Sequence, residues 1–386
     1  MTKTIKVGII GAGMAGQAHA FGYRNASMAL SSQIRVELVA IADPNLELAQ
    51  RVADRYGFSK AIGNIDELIA SEVDVISVAL PNFLHAEILP KVIASGKHLF
   101  AEKPIGRNTG ESGQLLALAN GIDAVTGVGF SFRRLPGLAA LAQAAREGVF
   151  GKIHSARAWY LADYAADPKG ALSWRYSLQQ AGPGALLDIG SHAIDALQFV
   201  VGDVAEVTSA NLETVIKERP KAAAGSIGHG ASTSTETGPV DNDDIALLAA
   251  KHINGAVSQV TLSRIAHGQP NSLGVQVFGD KGSGLFDSMS GGEFHVFEAG
   301  LGDGRFNGTK RVITGPAHPY FNDVAAMPGG GVGTGYAEAF VAEIQEFLYA
   351  VNTGTTMSTG FAEAHQMMKV VDAAVESAAA RKPIQL

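Results

Sequence analysis

Hydrophobic residues in the first third of the chain fall in short, nearly unbroken runs: Lys6 to Ile10, Val36 to Ala42, Val73 to Leu80, His98 to Ala101 and Val125 to Phe130. Between them, apolar positions recur at helical intervals over Gln17 to Arg24, Leu46 to Tyr56, His85 to Ala94 and Glu111 to Ala119. A strand that is apolar throughout is buried on both faces, which a parallel sheet achieves when crossover helices cover both of its sides. The pattern predicts a doubly wound parallel sheet, an α/β domain over residues 1–131. From about Leu135 the pattern changes. A helix near Gly137 to Glu147 precedes alternating runs at Lys152 to Leu161, Val204 to Ile216, Ile245 to Lys251, Ala256 to Ser263, Leu273 to Phe278 and Gly284 to Phe286. Alternation means one buried face and one open face, so these strands predict a large, mostly antiparallel open sheet. In Ala181 to Asp195, Gly182, Pro183 and Gly184 open an amphipathic helix that carries Asp188, His192 and Asp195 and lies across that sheet, and helical patterns at Tyr336 to Val351 and Phe361 to Ala380 close the chain. The expectation is an α+β domain over 132–386, with the helix 361–380 packing back on the first domain. Pro220 to Asp244, rich in Ser, Thr and small residues, reads as a mobile loop, and the glycines at 328–335 as another. No internal repeat is visible.

Composition narrows the function. At 386 residues the chain is long enough for two domains, and 46% hydrophobic with 17% charged residues describes a packed globular protein. A net charge of -7 argues against a nucleic-acid or anionic-membrane partner, because either would select a basic face. The absence of cysteine excludes disulfides, thiolate metal sites and thiol catalysis. The histidines are scattered, so no metal site is predicted. No apolar run is long enough to span a bilayer, and the first residues lack a basic segment followed by a long apolar one. The expectation is a cytoplasmic protein with a small polar ligand.

The first apolar run leads directly into Gly11-Ala12-Gly13-Met14-Ala15-Gly16 and then into a helical stretch. This is a GxGxxG in the strand–turn–helix context that gives it meaning. Its glycines let the backbone turn sharply, admit a pyrophosphate and pack the helix on the strand, with the helix N-terminus aimed at the phosphates. Gly11, Gly13, Met14 and Ala15 are therefore candidates for holding a dinucleotide. Asp43 ends the second run, 27 residues beyond Gly16, where such folds place an acid for the adenosine ribose. The stretch Asn25 to Arg35 would account for the long spacing as a helix extension or exit loop. Beside Pro44 and Asn45, Asp43 is also a turn former. Leu80, Asn82 and His85 follow one strand and Glu102-Lys103-Pro104 follows another, so all are expected at the carboxyl ends of strands, around the cofactor. Farther on, Asp188 and His192 stand four apart on the predicted helix, an acid–base pair facing one way.

Together these motifs resemble the glucose-fructose oxidoreductase and inositol dehydrogenase superfamily over nearly the whole chain. Glu102-Lys103-Pro104 is similar to that family's hallmark triplet. Trp174-Arg175, followed by the glycine-rich turn at Gly182 and by Asp188, Gly190, His192 and Asp195, is similar to its second signature. One departure is Pro183, where a third glycine is usual. Tyr160 to Pro168 and Gly315 to Pro319 resemble the branch that contains levoglucosan dehydrogenase. The resemblance implies a pyridine-nucleotide dehydrogenase acting on a sugar, anhydrosugar or cyclitol, with Lys103, Asp188 and His192 as its catalytic group. It places Trp174 and Arg175 with the cofactor residues, and it implies a dimer or tetramer built on the open sheet. His192 would take the hydroxyl proton, Lys103 would hold that oxygen, and Asp188 would orient His192 or grip an adjacent hydroxyl. Arg133, Asp163, Arg175, His318 and Tyr336 are further candidates for the substrate cleft. Asp43 predicts NAD over NADP. The alternatives are a glycoside hydrolase with a retained NAD and a non-catalytic dinucleotide-binding regulator.

Overall fold

The computed structural model describes residues 3–27, 34–222, 234–300 and 304–386. It divides into two compact units: Met1–Pro136 with Gly315–His365, and Gly137–Thr314 with Gln366–Leu386. The sequence expectation had given everything beyond residue 131 to the second domain. Packing on the first helix explains the difference for Gly315–His365. The helix Tyr336–Thr353 lies against the helix Met14–Ala26. A Cβ at Gly22 would stand 2.9 Å from the Phe340 carbonyl oxygen, so the glycine lets the two backbones touch. The helix Phe361–Ala380 straddles the division.

In the first unit the elements run β1 (Lys3–Ile10), α1 (Met14–Ala26), β2 (Ile34–Ala42), α2 (Leu46–Tyr56), β3 (Lys60–Ile62), α3 (Ile65–Ala70), β4 (Val75–Val78), α4 (His85–Ala94), β5 (His98–Glu102), α5 (Thr109–Ala119) and β6 (Thr126–Gly129). All strand pairs are parallel, in the order β3-β2-β1-β4-β5-β6. The strand order reverses between β1 and β4, and in open α/β sheets ligands bind outside the strand ends at that point. Strand β3 and helix α3 were not foreseen. Three residues at a sheet edge carry no readable period, and α3 starts from Asn64, whose side chain accepts the Asp66 amide. Of the stretch Asn25 to Arg35, Asn25 and Ala26 end α1, Ile34 and Arg35 open β2, and 28–33 lie outside the described residues.

Beneath this sheet lies a buried charged group. Arg134 donates through Nη2 to Glu346 Oε2 (2.8 Å), Ser358 Oγ (3.2 Å) and Thr359 Oγ1 (3.1 Å). Glu343, fully buried, has no hydrogen-bond partner for either carboxyl oxygen among the described residues. Burial raises its pKa well above the ordinary 4.5, opposed by Arg134 and reinforced by Glu102 and Glu346. The folded protein therefore holds a proton that the unfolded chain releases near 4.5. That contribution to stability is complete below the unfolded pKa and is lost as pH rises above it. Glu343→Gln stays neutral, so its melting temperature relative to the parent is expected to climb steadily between acidic and alkaline pH. A difference that does not change with pH would refute this.

The second unit contains α6 (Pro136–Arg146), β7 (Ile153–Leu161), α7 (Leu178–Ala181), α8 (Ala185–Asp188), α9 (Gly190–Val201), β8 (Val204–Glu213), β9 (Glu218–Pro220), β10 (Thr237–Pro239), β11 (Ile245–His252), β12 (Val257–Ser263), β13 (Ser272–Gly279), β14 (Gly282–Asp287), β15 (Glu293–Glu298), β16 (Lys310–Ile313) and β17 (Ile384–Gln385). Nine strands form one sheet, β16-β15-β14-β13-β7-β12-β11-β8-β17, in which only β7 and β12 pair parallel among those described. The sequence pattern missed β15, β16 and β17; the last two are short strands at the two edges of the sheet. Part of the expected loop Pro220 to Asp244 forms the β9–β10 ladder and a polar turn, and 223–233 of it lie outside the described residues. Helix α9 is buried almost all round and packs on β7, β12 and β13. Each such Leu, Ile or Val contributes roughly 1.5–3 kcal/mol. Leu247, Val257 and Phe278 stand on the opposite sheet face, 43%, 48% and 37% exposed. Among the described residues no single helix is long and apolar enough to cross a membrane.

Candidate functional site

The glycine loop of the first unit shows why each glycine is required. Gly11 has φ +100°, and a Cβ there would lie 2.3 Å from the Ala79 carbonyl oxygen. One at Gly16 would lie 1.8 Å from the Gly11 carbonyl oxygen. Around Gly13, by contrast, a Cβ would meet nothing within 4 Å, and this residue caps α1 without a side-chain hydrogen bond. Open space beside a helix N-terminus that no side chain caps is what a pyrophosphate needs. The residues present therefore fit a dinucleotide. Met14, 70% exposed, and half-buried Ala15 flank the opening.

Asp43 braces the glycine loop and closes the turn that follows it. Its Oδ2 accepts the Ala12 amide at 2.9 Å, bracing the glycine loop, and its Oδ1 accepts the Asn45 amide at 2.9 Å, closing the turn. Each oxygen keeps a second lone pair for a ribose hydroxyl. Leu80 is half-buried, while the Asn82 and His85 side chains are turned inward, at 6% and 0% exposure. His85 Nδ1 donates to the Pro104 carbonyl at 2.8 Å, and burial holds its pKa down, so it is a neutral tie within the fold rather than a surface donor. Glu102 is also turned inward, with Oε1 3.1 Å from His19 Nε2 and Oε2 accepting the Lys103 amide at 3.0 Å. Lys103 itself is half-buried. Arg133 sits half-buried on a single turn, Ser131–Arg134. The Tyr336 hydroxyl accepts from Ser131 Oγ at 3.4 Å, and its ring lies 5.0 Å from that of Phe132. His318 closes a local turn by accepting the Gly315 amide at 3.0 Å.

In the second unit the expected continuous helix is broken. Helix α8 ends at Asp188, α9 begins at Gly190, and the segments on either side of Ile189 meet at 42°. A Cβ at Gly190 would come 2.5 Å from the Leu262 side chain, so this glycine allows α9 to settle on β12 while α8 takes another direction. Asp188 and His192 are thus not one turn apart on one helix, yet both meet the end of β7. Tyr164 donates its hydroxyl to Asp188 Oδ2 at 2.8 Å, and the Tyr160 ring lies 6.1 Å from that of His192. Burial, with the Asp188 charge next, raises the Tyr164 pKa well above its usual value, which keeps it a donor. Tyr160 in turn donates to Asn271 Oδ1 at 2.5 Å. Asp163 is half-buried beside them in sequence, and His192 is 7% exposed.

The turn before α8 needs two of the family's three glycines. Gly182 has φ +74°, and a Cβ at Gly184 would lie 2.0 Å from the Asp243 carbonyl oxygen. Both positions are glycine here, so Pro183 departs from the pattern only between them. Asp243 accepts the Gly184 amide (2.6 Å) and the Leu186 amide (2.8 Å), which fixes the start of α8; burial raises its pKa against those two bonds. Arg264 donates from Nε to Asp244 Oδ1 (2.8 Å) and from Nη2 to Asn242 Oδ1 (2.9 Å). Asn242 Nδ2 reaches the carbonyls of Arg175 (2.9 Å) and Gly182 (3.1 Å). The Arg175 guanidinium lies 4.4 Å from the Trp174 ring centre, while those of Arg219 and Arg264 lie 4.3 and 4.7 Å from the Tyr176 ring centre. Sequence reading missed His19, Tyr164, Tyr176, Arg264 and the Asn242–Asp244 turn. The one available signal was the acidic run Asp241-Asn242-Asp243-Asp244. Among the described residues no group of three or more His, Asp or Glu is arranged to hold a metal ion.

Residues 5–130 match the family described as "Oxidoreductase family, NAD-binding Rossmann fold", and residues 138–284 match the "GFO/IDH/MocA C-terminal domain". Levoglucosan dehydrogenase of Pseudarthrobacter phenanthrenivorans is 37% identical over 383 residues, 98% of this chain and 97% of that protein. Inositol 2-dehydrogenase of Rhizobium meliloti is 24% identical over 99% of each chain. Among solved structures, levoglucosan dehydrogenase in complex with NADH and levoglucosan superposes with a TM-score of 0.92 at 35% identity, covering 99% of both chains.

Proposed function

The chain belongs to the GFO/IDH/MocA oxidoreductase family, and from that premise we propose that it oxidises a secondary ring alcohol of a sugar or anhydrosugar with NAD. NAD supplies the hydride acceptor; the α1 N-terminus, Gly11, Gly13 and Asp43 would hold it, with Trp174 and Arg175 as further candidates. Oxidation of the alcohol to a ketone releases one proton with the hydride, and His192 takes that proton. Lys103 donates a hydrogen bond to the same oxygen and stabilises the negative charge that develops there. Asp188, held by Tyr164, orients His192 or accepts a neighbouring hydroxyl, and Arg133, Asp163 and Tyr336 contact the rest of the sugar. The observation that carries this reading is that two tyrosines at the end of β7 meet the candidate pair: Tyr164, a neutral donor, fixes the Asp188 carboxylate, and the Tyr160 ring lies 6.1 Å from that of His192, the side chain suited to take a proton near neutral pH.

The deciding experiment screens levoglucosan, free pyranoses and inositols with NAD and with NADP, following reduced nicotinamide. NADH formation with a sugar or anhydrosugar is expected, with NADP poorer because its 2′-phosphate would meet the Asp43 carboxylate. Release of an aglycone without net NADH would replace this reading with the hydrolase, and cofactor binding without turnover of any substrate would favour the regulator. The apolar residues on the open sheet face support a homo-oligomer. Light scattering that found only a 40.1 kDa species would exclude it.

A further inference from the structure

We propose that His19 and His85 clamp the backbone on either side of Lys103 and so set the position of its ammonium group. The inference rests on the reading of Lys103 as the residue that holds the reacting oxygen. Both histidines are fully buried and come from different helices: His19 from α1, which leaves the glycine loop, and His85 from the first position of α4. His19 Nε2 lies 3.1 Å from Glu102 Oε1, and the other oxygen of that carboxyl accepts the Lys103 amide at 3.0 Å. Its Nδ1 lies 2.8 Å from Ser77 Oγ on β4, so with Nε2–H donating to the carboxylate, the Ser77 hydroxyl donates to Nδ1 and holds that tautomer. On the other side, His85 Nδ1 donates to the Pro104 carbonyl at 2.8 Å. The amide of Lys103 is therefore tied to His19 through the Glu102 carboxyl, and the carbonyl of Pro104, the next residue, is tied directly to His85.

The surroundings favour that arrangement. The His19 ring meets the Phe100 ring edge-on at 5.2 Å, two residues before Glu102 on the same strand. On β6, a Cβ at Gly129 would stand 3.1 Å from Glu102 Oε1, so glycine leaves the carboxyl room to face His19. A lysine side chain is a long flexible stem, and its own rotamers do not place its amine to within an ångström. The anchor of its Cα must do so, and a misplacement of about 1 Å in a reacting group costs on the order of 10²-fold in rate. Because α1 begins at the cofactor loop, the clamp also couples that loop to the residue that meets the substrate.

Amide substitutions separate a clamp from simple packing. Asparagine places its amide nitrogen near the Nδ1 position of histidine, and glutamine near Nε2. His19→Gln keeps the donor to Glu102, and His19→Asn loses it; His85→Asn keeps the donor to Pro104, and His85→Gln loses it. The expected result is a mirror-image pattern in which H19Q and H85N retain at least about tenfold more kcat than H19N and H85Q. NADH affinity should be the same in each pair, and the isotope effect with C-deuterated substrate should grow in the slow variants as chemistry becomes limiting. Equal losses within each pair, or losses that appear in NADH affinity instead, overturn the clamp. Circular dichroism identifies any variant that fails to fold, in which case the other pair decides. Should neither pair fold, Ser77→Ala decides, with a fall in kcat at unchanged NADH affinity expected and unchanged kcat refuting the proposal. Lys103→Met separates the two levels: if it retains turnover, the reading of Lys103 is wrong, and if it is inactive while the mirror pattern is absent, only the clamp is wrong.

Discussion

Lys103→Met and His192→Ala are each expected to lower kcat by about 10²- to 10⁴-fold while NADH affinity, measured by fluorescence titration, changes little. Methionine keeps the length of the lysine stem and removes only the charge and its hydrogen bonds. The backbone at residue 103 is held by Glu102 whatever the side chain, so the variant tests the amine and not the fold. His192 is almost fully buried on α9, and Tyr164 cannot replace it as the base, because its hydroxyl is already donating to Asp188 and burial keeps it protonated. The loss should therefore fall on kcat, the step in which the proton moves, rather than on cofactor binding. Near-parental turnover by either variant on the true substrate would remove that residue from the mechanism.

Asp244→Ala should give the largest loss of stability, about 3–5 kcal/mol, because it strands a buried arginine. Asp244 and Arg264 are 0% and 1% exposed, and the Asp244 Oδ2 also accepts the amides of Val215 (2.9 Å) and Ile216 (2.8 Å). Removing the carboxylate leaves the buried guanidinium without its counter-charge and takes the acceptor from two backbone amides. Arg264 Nη1 also reaches the Arg175 carbonyl at 3.3 Å, so the Trp174-Arg175 segment and the Gly182–Gly184 turn should loosen with it. Denaturation measured by urea titration gives the loss directly. The double variant Asp244→Ala, Arg264→Met is expected to cost less than the sum of its parts, because no charge is then stranded. Strict additivity, or a single-variant loss below about 1 kcal/mol, would show that this pair is solvated.

The sequence alone determined what depends on neighbours along the chain. Continuous apolar runs gave the parallel strands and alternating ones the open sheet. The glycine spacing gave the cofactor loop, because the positive φ of Gly11 and the close approach of Gly16 to the Gly11 carbonyl are properties of the turn itself. The family resemblance extended this to Lys103, Asp188 and His192 as candidates. It failed where the deciding partner was distant. Ile189 looked like the middle of a helix, because the reason to bend there is the close approach of Gly190 to Leu262 on another strand. The ties of His85 to Pro104 and of Glu102 to His19 were not legible either, because nothing nearby in sequence shows that these side chains turn inward. Likewise Tyr164, His19 and the Asn242–Asp244 turn matter through residues 24, 83 and as many as 67 positions away. Such pairings cannot be read from local pattern, since a buried polar group is specified by whichever distant partner satisfies it, and only the tertiary structure names that partner.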